Sequence, residues 1–357
     1  MEKLDDLDRI KRLDPQGMLE VKENFYQQLK SAQKIARSVD LSKISGKKYK
    51  GIVFLGMGGS GFGGGMIKAL IEDSINIVVD SVKGYRLPHY VNKDWLVIAV
   101  SYSGNTEETI CCVRQAMDKG ATIMAVTTGG KLAQLAEQHD GAIIEVPHGY
   151  QPRSAIGYLF LPVLMALNKL EIVDVGEVDI EESLEAVEEL CRKYNRSVET
   201  GRNFAKQLAC SIGDMLPVIY GTEGYLGPIA YRWKCEINEN AKTPCFWAQF
   251  PELNHNETVG WERLAPVTRN FALILLREQD EPARIKVRID STVSLISENV
   301  GSVIEVPVEG KSRLCRAVSA LYTGDITSVY LALLSGVDPT PVEKIGKLKA
   351  ELAKLDQ

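Results

Sequence analysis

The sequence predicts an α/β protein made of two doubly wound α/β/α subdomains, each built on a mainly parallel sheet. Three observations carry that expectation. Short apolar runs end in glycine turns and lead into helix-length segments, the alternation of a parallel sheet covered on both faces. The same order of signals returns in the second half of the chain. And 357 residues, 45% apolar and 25% charged, suit two globular domains better than one.

Residues 1–45 read as a helical leader, with Met18, Val21, Phe25, Leu29, Ala32 and Ala36 recurring along one helical face. The first unit spans 46–178. It opens with GIVFLGMGGSG (51–61), an apolar strand running into glycines, and continues through the helix GGGMIKALIED. The strands INIVVDS, WLVIAVS, TIMAVTT and AIIEVPHGY follow, with helical segments between most of them. A charged stretch over 179–211 reads as a helical connector. The second unit, 212–357, restarts with LPVIYGTEGYLGPIAYRWKCEINE, again strand, glycine turn and helix. FALILLRE is a further strand, and SVIEVPVEG echoes AIIEVPHGY at a similar distance from the glycine turn, 83 residues against 88. Between them TPCFWAQFPELNHNE reads as a long irregular segment.

Net charge is −5, so there is no basic field for nucleic acid or an anionic membrane. An anionic substrate must then be drawn in by local groups. The seven cysteines are odd in number, two are adjacent, and none has CxxC spacing. Neither a disulfide framework nor a zinc site is expected, and a reducing cytoplasmic setting fits. The charged N-terminus is not that of a signal peptide, and the uncharged run Gly51–Ile67 is too rich in glycine for a membrane helix.

Two glycine-rich junctions point to chemistry. GMGGSG satisfies GxGxxG through Gly56, Gly58 and Gly61, and Asp80 ends the next strand where a dinucleotide fold places its ribose-binding acid. The next junction, VSYSGNTEET, clusters Ser101, Ser103 and Thr106 at a strand–helix turn. Hydroxyls beside free N–H groups suit a compact terminal phosphate. The plain alternative is that one hydroxyl caps the helix and Gly104 makes the turn. Farther on, Glu239 lies between two asparagines at a helix end, a position that its residues alone favour as a solvated acid. His255 sits between Asn254 and Asn256, which are expected to orient its imidazole for proton transfer.

At GMGGSG and SYSGNT the chain resembles the sugar isomerase (SIS) domain family, which binds phosphosugars. That resemblance implies that Gly58, Gly59 and Ser60 lie against sugar or phosphate and that Ser101, Ser103 and Thr106 hold the phosphate. The second unit has GTEG but no SxSGxT, so only the first should hold phosphate strongly. QPRSAIGY, NENAK, NHNE and DPTPVEKIGK extend the likeness as far as residue 347, and together the motifs resemble the bifunctional phosphoglucose/phosphomannose isomerases.

The resemblance implies an aldose–ketose isomerase interconverting glucose 6-phosphate and mannose 6-phosphate with fructose 6-phosphate through a cis-enediolate. It makes Glu239 the base between C2 and C1 and Arg153 the cation beside the enediolate. His255 would assist ring opening from the neighbouring subunit of a homodimer. Lys347 would act at the ring oxygen, with Lys349 as the alternative. Thr340 stands where strict glucose enzymes carry a longer glutamine, leaving room for either C2 epimer. No metal and no cofactor are expected. A non-catalytic phosphosugar sensor and a nicotinamide-dependent dehydrogenase remain the competing classes.

Overall fold

The glycine-punctuated apolar runs fold into two separate parallel sheets. The computed structural model describes residues 2–352 and 354. The leader forms α1 (Leu7–Leu13), α2 (Met18–Glu23) and α3 (Phe25–Ser38). Its apolar face is interrupted at Asn24, whose side-chain amide donates back to the Glu20 carbonyl at 2.9 Å and closes α2.

The first unit comprises β1 (Gly51–Leu55), α4 (Gly58–Ile71), β2 (Val78–Val82), β3 (Trp95–Val100), α5 (Glu107–Asp118), β4 (Thr122–Thr127), α6 (Gly130–Gln138), β5 (Ala142–Glu145) and α7 (Ile156–Lys169). Its strands are all parallel in the order β2-β1-β3-β4-β5. Every residue of β1, β3 and β4 is buried, which is why these strands read as continuous apolar runs. The strand order reverses between β1 and β3. Their C-terminal ends therefore open the crevice where ligands of doubly wound folds bind.

The connector is two helices, α8 (Glu177–Lys193) and α9 (Phe204–Ile212), parted by an irregular turn. The second unit follows with β6 (Leu216–Thr222), α10 (Leu226–Glu236), β7 (Phe246–Phe250), α11 (Ala265–Thr268), β8 (Phe271–Glu278), α12 (Ala283–Ile296), β9 (Ser302–Val308), α13 (Arg313–Leu334) and α14 (Glu343–Leu352). Its sheet is again parallel, in the order β7-β6-β8-β9.

Two sequence expectations are corrected here. The segment 243–257 is not irregular throughout, because Phe246–Phe250 forms β7. This short edge strand, bracketed by Pro244 and Pro251, exposes Phe246 and Trp247 and so lacks a buried strand's signature. The second correction concerns the echo between AIIEVP and SVIEVP. By sheet position β9 answers to β4, whereas AIIE is β5, which has no counterpart in the second sheet. The two units do repeat, but that tetrapeptide pairs non-equivalent strands.

The longest helix, α13, has a mean hydropathy of 1.3 over its most apolar window and is long enough to cross a membrane, yet nearly all of it is buried inside the protein. It packs against α8, α9 and α10. Gly324 lets Trp233 of α10 lie flat on it, since a Cβ there would come within 2.1 Å of the indole nitrogen. That nitrogen donates to the Ala320 carbonyl at 2.9 Å.

Candidate active site

The crevice at β1 and β3 is lined by the two glycine junctions. After β1 the chain turns into α4 with Gly58 at φ +52, and no side chain caps the helix. A Cβ on Gly61 would stand 2.3 Å from the Gly56 carbonyl, so the turn closes only with glycine. After β3, Gly104 adopts φ +68, and a Cβ there would lie 1.8 Å from the Gly129 carbonyl. Thr106 occupies the N-cap position of α5 without bonding to the helix. Its hydroxyl instead meets the buried Ser101 hydroxyl at 2.8 Å. Helix capping therefore does not account for these hydroxyls, and among the described residues no side chain caps the first N–H groups of α5, which leaves them to an anion.

Ser60 ties the two junctions together by accepting the Tyr102 N–H at 3.3 Å. Ser103 is exposed, and its hydroxyl accepts the Asn105 N–H at 3.3 Å. Asp80, which the dinucleotide reading needs free, accepts from the Tyr90 hydroxyl and from the Ser81 N–H.

Gly59 brings α4 against the next feature: a Cβ there would stand 3.1 Å from the Arg153 Cα. Arg153 lies in a short 3₁₀ turn, Pro152–Ser154, before α7, and is 3% exposed. Its guanidinium is clamped on two sides. Nε donates to Asn240 Oδ1 at 2.7 Å, and Nη2 donates to the carbonyls of Pro339 and Thr340, both at 2.9 Å. That leaves Nη1, which faces Glu239 Oε2 at 3.7 Å. This separation is long for an ion pair and too long for a hydrogen bond, so Nη1 keeps its donors open.

Glu239 stands in a π turn, Ile237–Ala241, that extends α10. Turns of this kind are rare and concentrate at functional sites. Burial raises its pKa, the nearby charge of Glu236 raises it further, and Arg153, Arg232 and Lys22 oppose the shift. A carboxylate held above its usual range is a better proton acceptor than a solvated one. Lys242 closes the turn in a left-handed conformation, φ +56. Its ammonium donates to the carbonyls of Glu239 at 2.8 Å, Asn240 at 3.2 Å and Pro339 at 3.0 Å. Burial, and then the charge of Arg153, bring the Lys242 pKa down to about 8.

Glu239 and Lys242 line an open cleft of about 570 Å³, whose other wall is Val342 and the start of α14, including Glu343 and Lys344. A larger hollow of about 680 Å³ lies along α8, but Glu177, Glu181, Glu182 and Glu185 line it and would repel a phosphate dianion. Thr340 is placed beside Arg153 through its carbonyl. Its buried hydroxyl, which has no partner among the described residues, borders a pocket of about 170 Å³ shared with Gln16 and Tyr150.

Among the predicted residues, Gly58, Gly59, Ser60, Ser101, Ser103 and Thr106 gather at the crevice, and Arg153, Glu239 and Thr340 converge beside it. Lys347 and Lys349 are not brought in: both are exposed on α14, and it is Lys344, a turn before Lys347, that lines the cleft. His255 is exposed on the 3₁₀ turn after β7 and is likewise apart from the cleft. The expectation that its flanking asparagines orient it is corrected. Asn254 bonds Thr292 at 2.7 Å and Arg288 at 3.2 Å, and Asn256 bonds Glu252 at 3.1 Å. Both amides stabilise the loop and leave the imidazole alone. Asn240 and Lys242 lie in the same motif as Glu239, but their tasks were not assigned from sequence. The i, i+4 spacing of Glu236 and Asn240 was the available clue. Among the described residues no group of three or more His, Cys, Asp or Glu side chains is arranged to hold a metal ion.

Residues 47–169 match the SIS domain family, and residues 202–352 match the bacterial phospho-glucose isomerase C-terminal SIS domain. A bifunctional phosphoglucose/phosphomannose isomerase from Caldicellulosiruptor bescii is 40% identical over 338 residues, 95% of this chain and 99% of its own. One of the same name from Aquifex aeolicus is 38% identical over 86% of this chain and 91% of its own. In three dimensions, a glucose-6-phosphate isomerase like protein from Thermus thermophilus superposes with a TM-score of 0.63 at 19% identity, covering 95% of this chain and 98% of its own.

Proposed function

The chain belongs to the bifunctional phosphoglucose/phosphomannose isomerase family, and we propose that it interconverts glucose 6-phosphate and mannose 6-phosphate with fructose 6-phosphate through a cis-enediolate held between Arg153 and Glu239. One observation carries the mechanism: the single unclamped nitrogen of a buried guanidinium lies 3.7 Å from a half-buried carboxylate of raised pKa, so a substrate seated at the cleft can meet both groups.

In this reading the phosphate rests on the N-termini of α4 and α5, with the hydroxyls of Ser101, Ser103 and Thr106 around it. Backbone dipoles then bind the dianion despite the negative net charge. Glu239 takes the proton from C2, and the C1 carbonyl oxygen gains the negative charge beside Arg153 Nη1. The hydroxyl proton passes from O2 to O1, and Glu239 returns its proton to C1. Atoms and charge balance without a cofactor. In reverse, Glu239 protonates C2, and the epimer formed depends on which face of C2 is turned towards it; the short side chain at Thr340 would leave space for both.

Ring opening would fall to His255 and to Lys347, which stands one turn beyond the cleft-lining Lys344 and reaches the substrate only if α14 shifts. Because His255 is exposed and apart from the cleft of its own chain, it would serve the cleft of a second copy in a homodimer. The exposed Phe246, Trp247 and Val259 on the same segment supply apolar surface for that association.

The test is isomerisation of glucose 6-phosphate tritiated at C2. A single shuttling carboxylate sends part of the label to C1 and loses the rest to water. Complete transfer without washout would indicate a hydride shift and end the mechanism. Tight phosphosugar binding without isomerisation would favour the sensor class, and consumption of NAD would favour the dehydrogenase.

A further inference from the structure

Behind Arg153 and Glu239 lies a buried cluster that draws on three distant parts of the chain. Lys22 of α2, Arg232 and Glu236 of α10, and Asp325 of α13 are each 1–2% exposed. Lys22 Nζ lies 3.0 Å from Glu236 and 2.8 Å from Asp325. Arg232 grips Asp325 at 2.7 and 2.9 Å and Glu236 at 3.0 Å. Two cations thus balance two acids, so removing one partner would strand a buried charge.

The cluster reaches the catalytic edge through one amide. Glu236 Oε2 accepts Asn240 Nδ2 at 3.1 Å, and Ser328 Oγ accepts it at 2.8 Å. A carboxylate between two cations only accepts, so the amide must turn its NH₂ towards Glu236. Its oxygen is then presented to Arg153 Nε at 2.7 Å. Arg232 meanwhile holds the Arg153 carbonyl at 2.7 Å. The direction in which Arg153 points is therefore decided two residues away from it.

We propose that Glu236, set by Lys22 and acting through Asn240, is a positioning residue for Arg153. The helical leader then belongs to the catalytic machinery although it lies outside both SIS segments. This inference rests on the isomerase reading above. Glu239 feels the same cluster. It is faced by Tyr231, Arg232 and Glu236 of α10, by Lys22, Arg153 and Lys242, and across the cleft by Glu343 and Lys344.

The experiment measures kcat, KM and the pH profile of kcat for full-length wild type, Glu236→Gln and Lys22→Met, with thermal melts to report folding. A glutamine at 236 can donate as well as accept, which frees the amide of Asn240 to flip. Both variants are expected to lose about 10- to 100-fold in kcat, with KM changed by no more than about twofold. Their acidic limbs should move in opposite directions. Loss of the Glu236 charge lets Glu239 ionise at lower pH, and loss of the Lys22 charge delays it to higher pH.

The limbs report the field of the cluster at Glu239, and kcat on the pH plateau reports the aim of Arg153. Folded variants with wild-type plateau kcat would overturn the proposal whatever their limbs do, as would losses that only track the unfolded fraction. Should both variants fail to fold, Glu236→Asp keeps the charge of the cluster and draws the acceptor away from Asn240 Nδ2. It is expected to lower kcat severalfold at unchanged KM, and wild-type kcat there would be equally fatal. A wild type that does not isomerise hexose 6-phosphates sinks the underlying reading, a result distinct from indifferent variants of an active enzyme.

Discussion

Arg153 and Glu239 meet at 3.7 Å from opposite halves of the molecule. The arginine follows β5, the last strand of the first sheet, and the glutamate follows α10, the first helix of the second. Each half lends one member of the pair, so the reacting geometry depends on how the two units are locked together. The buried ion cluster, the leader and α13 provide that lock.

Replacing Glu239 by glutamine keeps the shape of the cleft and removes its base. Turnover should fall by at least about a thousandfold while substrate affinity stays near wild type. Inhibition constants for a non-isomerisable hexitol 6-phosphate measure the affinity. Parallel losses in both quantities would make Glu239 structural.

The same substitution carries a stability signature. The folded-state pKa of Glu239 is raised, so the native state binds more protons than the unfolded chain between pH 4.5 and that folded value. Stability contributed by this group therefore falls as pH rises through the window, and the penalty is complete above it. Glu239→Gln should melt at a higher temperature than wild type at pH 7, and the gap should narrow towards pH 4. Wild-type kcat, which needs the ionised carboxylate, should fall as pH drops through the raised pKa. Calorimetry and a pH–rate profile check the two halves.

Arg153→Lys preserves the charge but not the fork. An ammonium cannot serve Asn240, the paired carbonyls of Pro339 and Thr340, and the substrate at once. The expected result is a loss of about 100-fold in kcat. Full activity would mean that charge alone suffices.

Gly104→Ala should damage the phosphate junction. The left-handed backbone alone costs an alanine about 1–2 kcal/mol, and the contact with the Gly129 carbonyl adds to it. A lower urea midpoint and a raised KM for hexose 6-phosphates are expected. A raised KM is the specific part, since an alanine elsewhere in a loop would shift only the midpoint.

Mixed dimers test where His255 works. Chains carrying His255→Ala and chains carrying Glu239→Gln are each inactive, but random pairing should restore about a quarter of wild-type activity if the histidine crosses between subunits of a twofold dimer. No recovery would place His255 in its own chain's site or outside catalysis.

Much of this was legible because local rules and tertiary context agreed. Buried parallel strands announced themselves as apolar runs, and Gly58 and Gly104 marked turns that other residues cannot make. Legibility stopped where the two diverged. Phe246–Phe250 is an edge strand with exposed aromatics, so it carried no burial pattern. Asn254 and Asn256 flank His255 in sequence, yet their amides point to Thr292, Arg288 and Glu252, because adjacency along a chain does not determine side-chain direction. The pairing of Lys22 with Glu236 and Asp325 spans 214 and 303 positions. No periodicity reports a contact at that range, and a lysine on an amphipathic helix reads as solvated until the fold encloses it.

The π turn around Glu239 has a consequence in the genetics of the protein. Such a turn is what one extra residue makes of an α-helix. The carboxylate is therefore addressed by a count of residues as well as by identity. Deleting Asn238 would restore a regular helix and slip Glu239 back by one position, ~100° about the helix axis. The acid would remain in the cleft wall, in the place of Asn238, and leave its station opposite Arg153. A three-base deletion at that point is an inactivating lesion that preserves every residue assigned to catalysis.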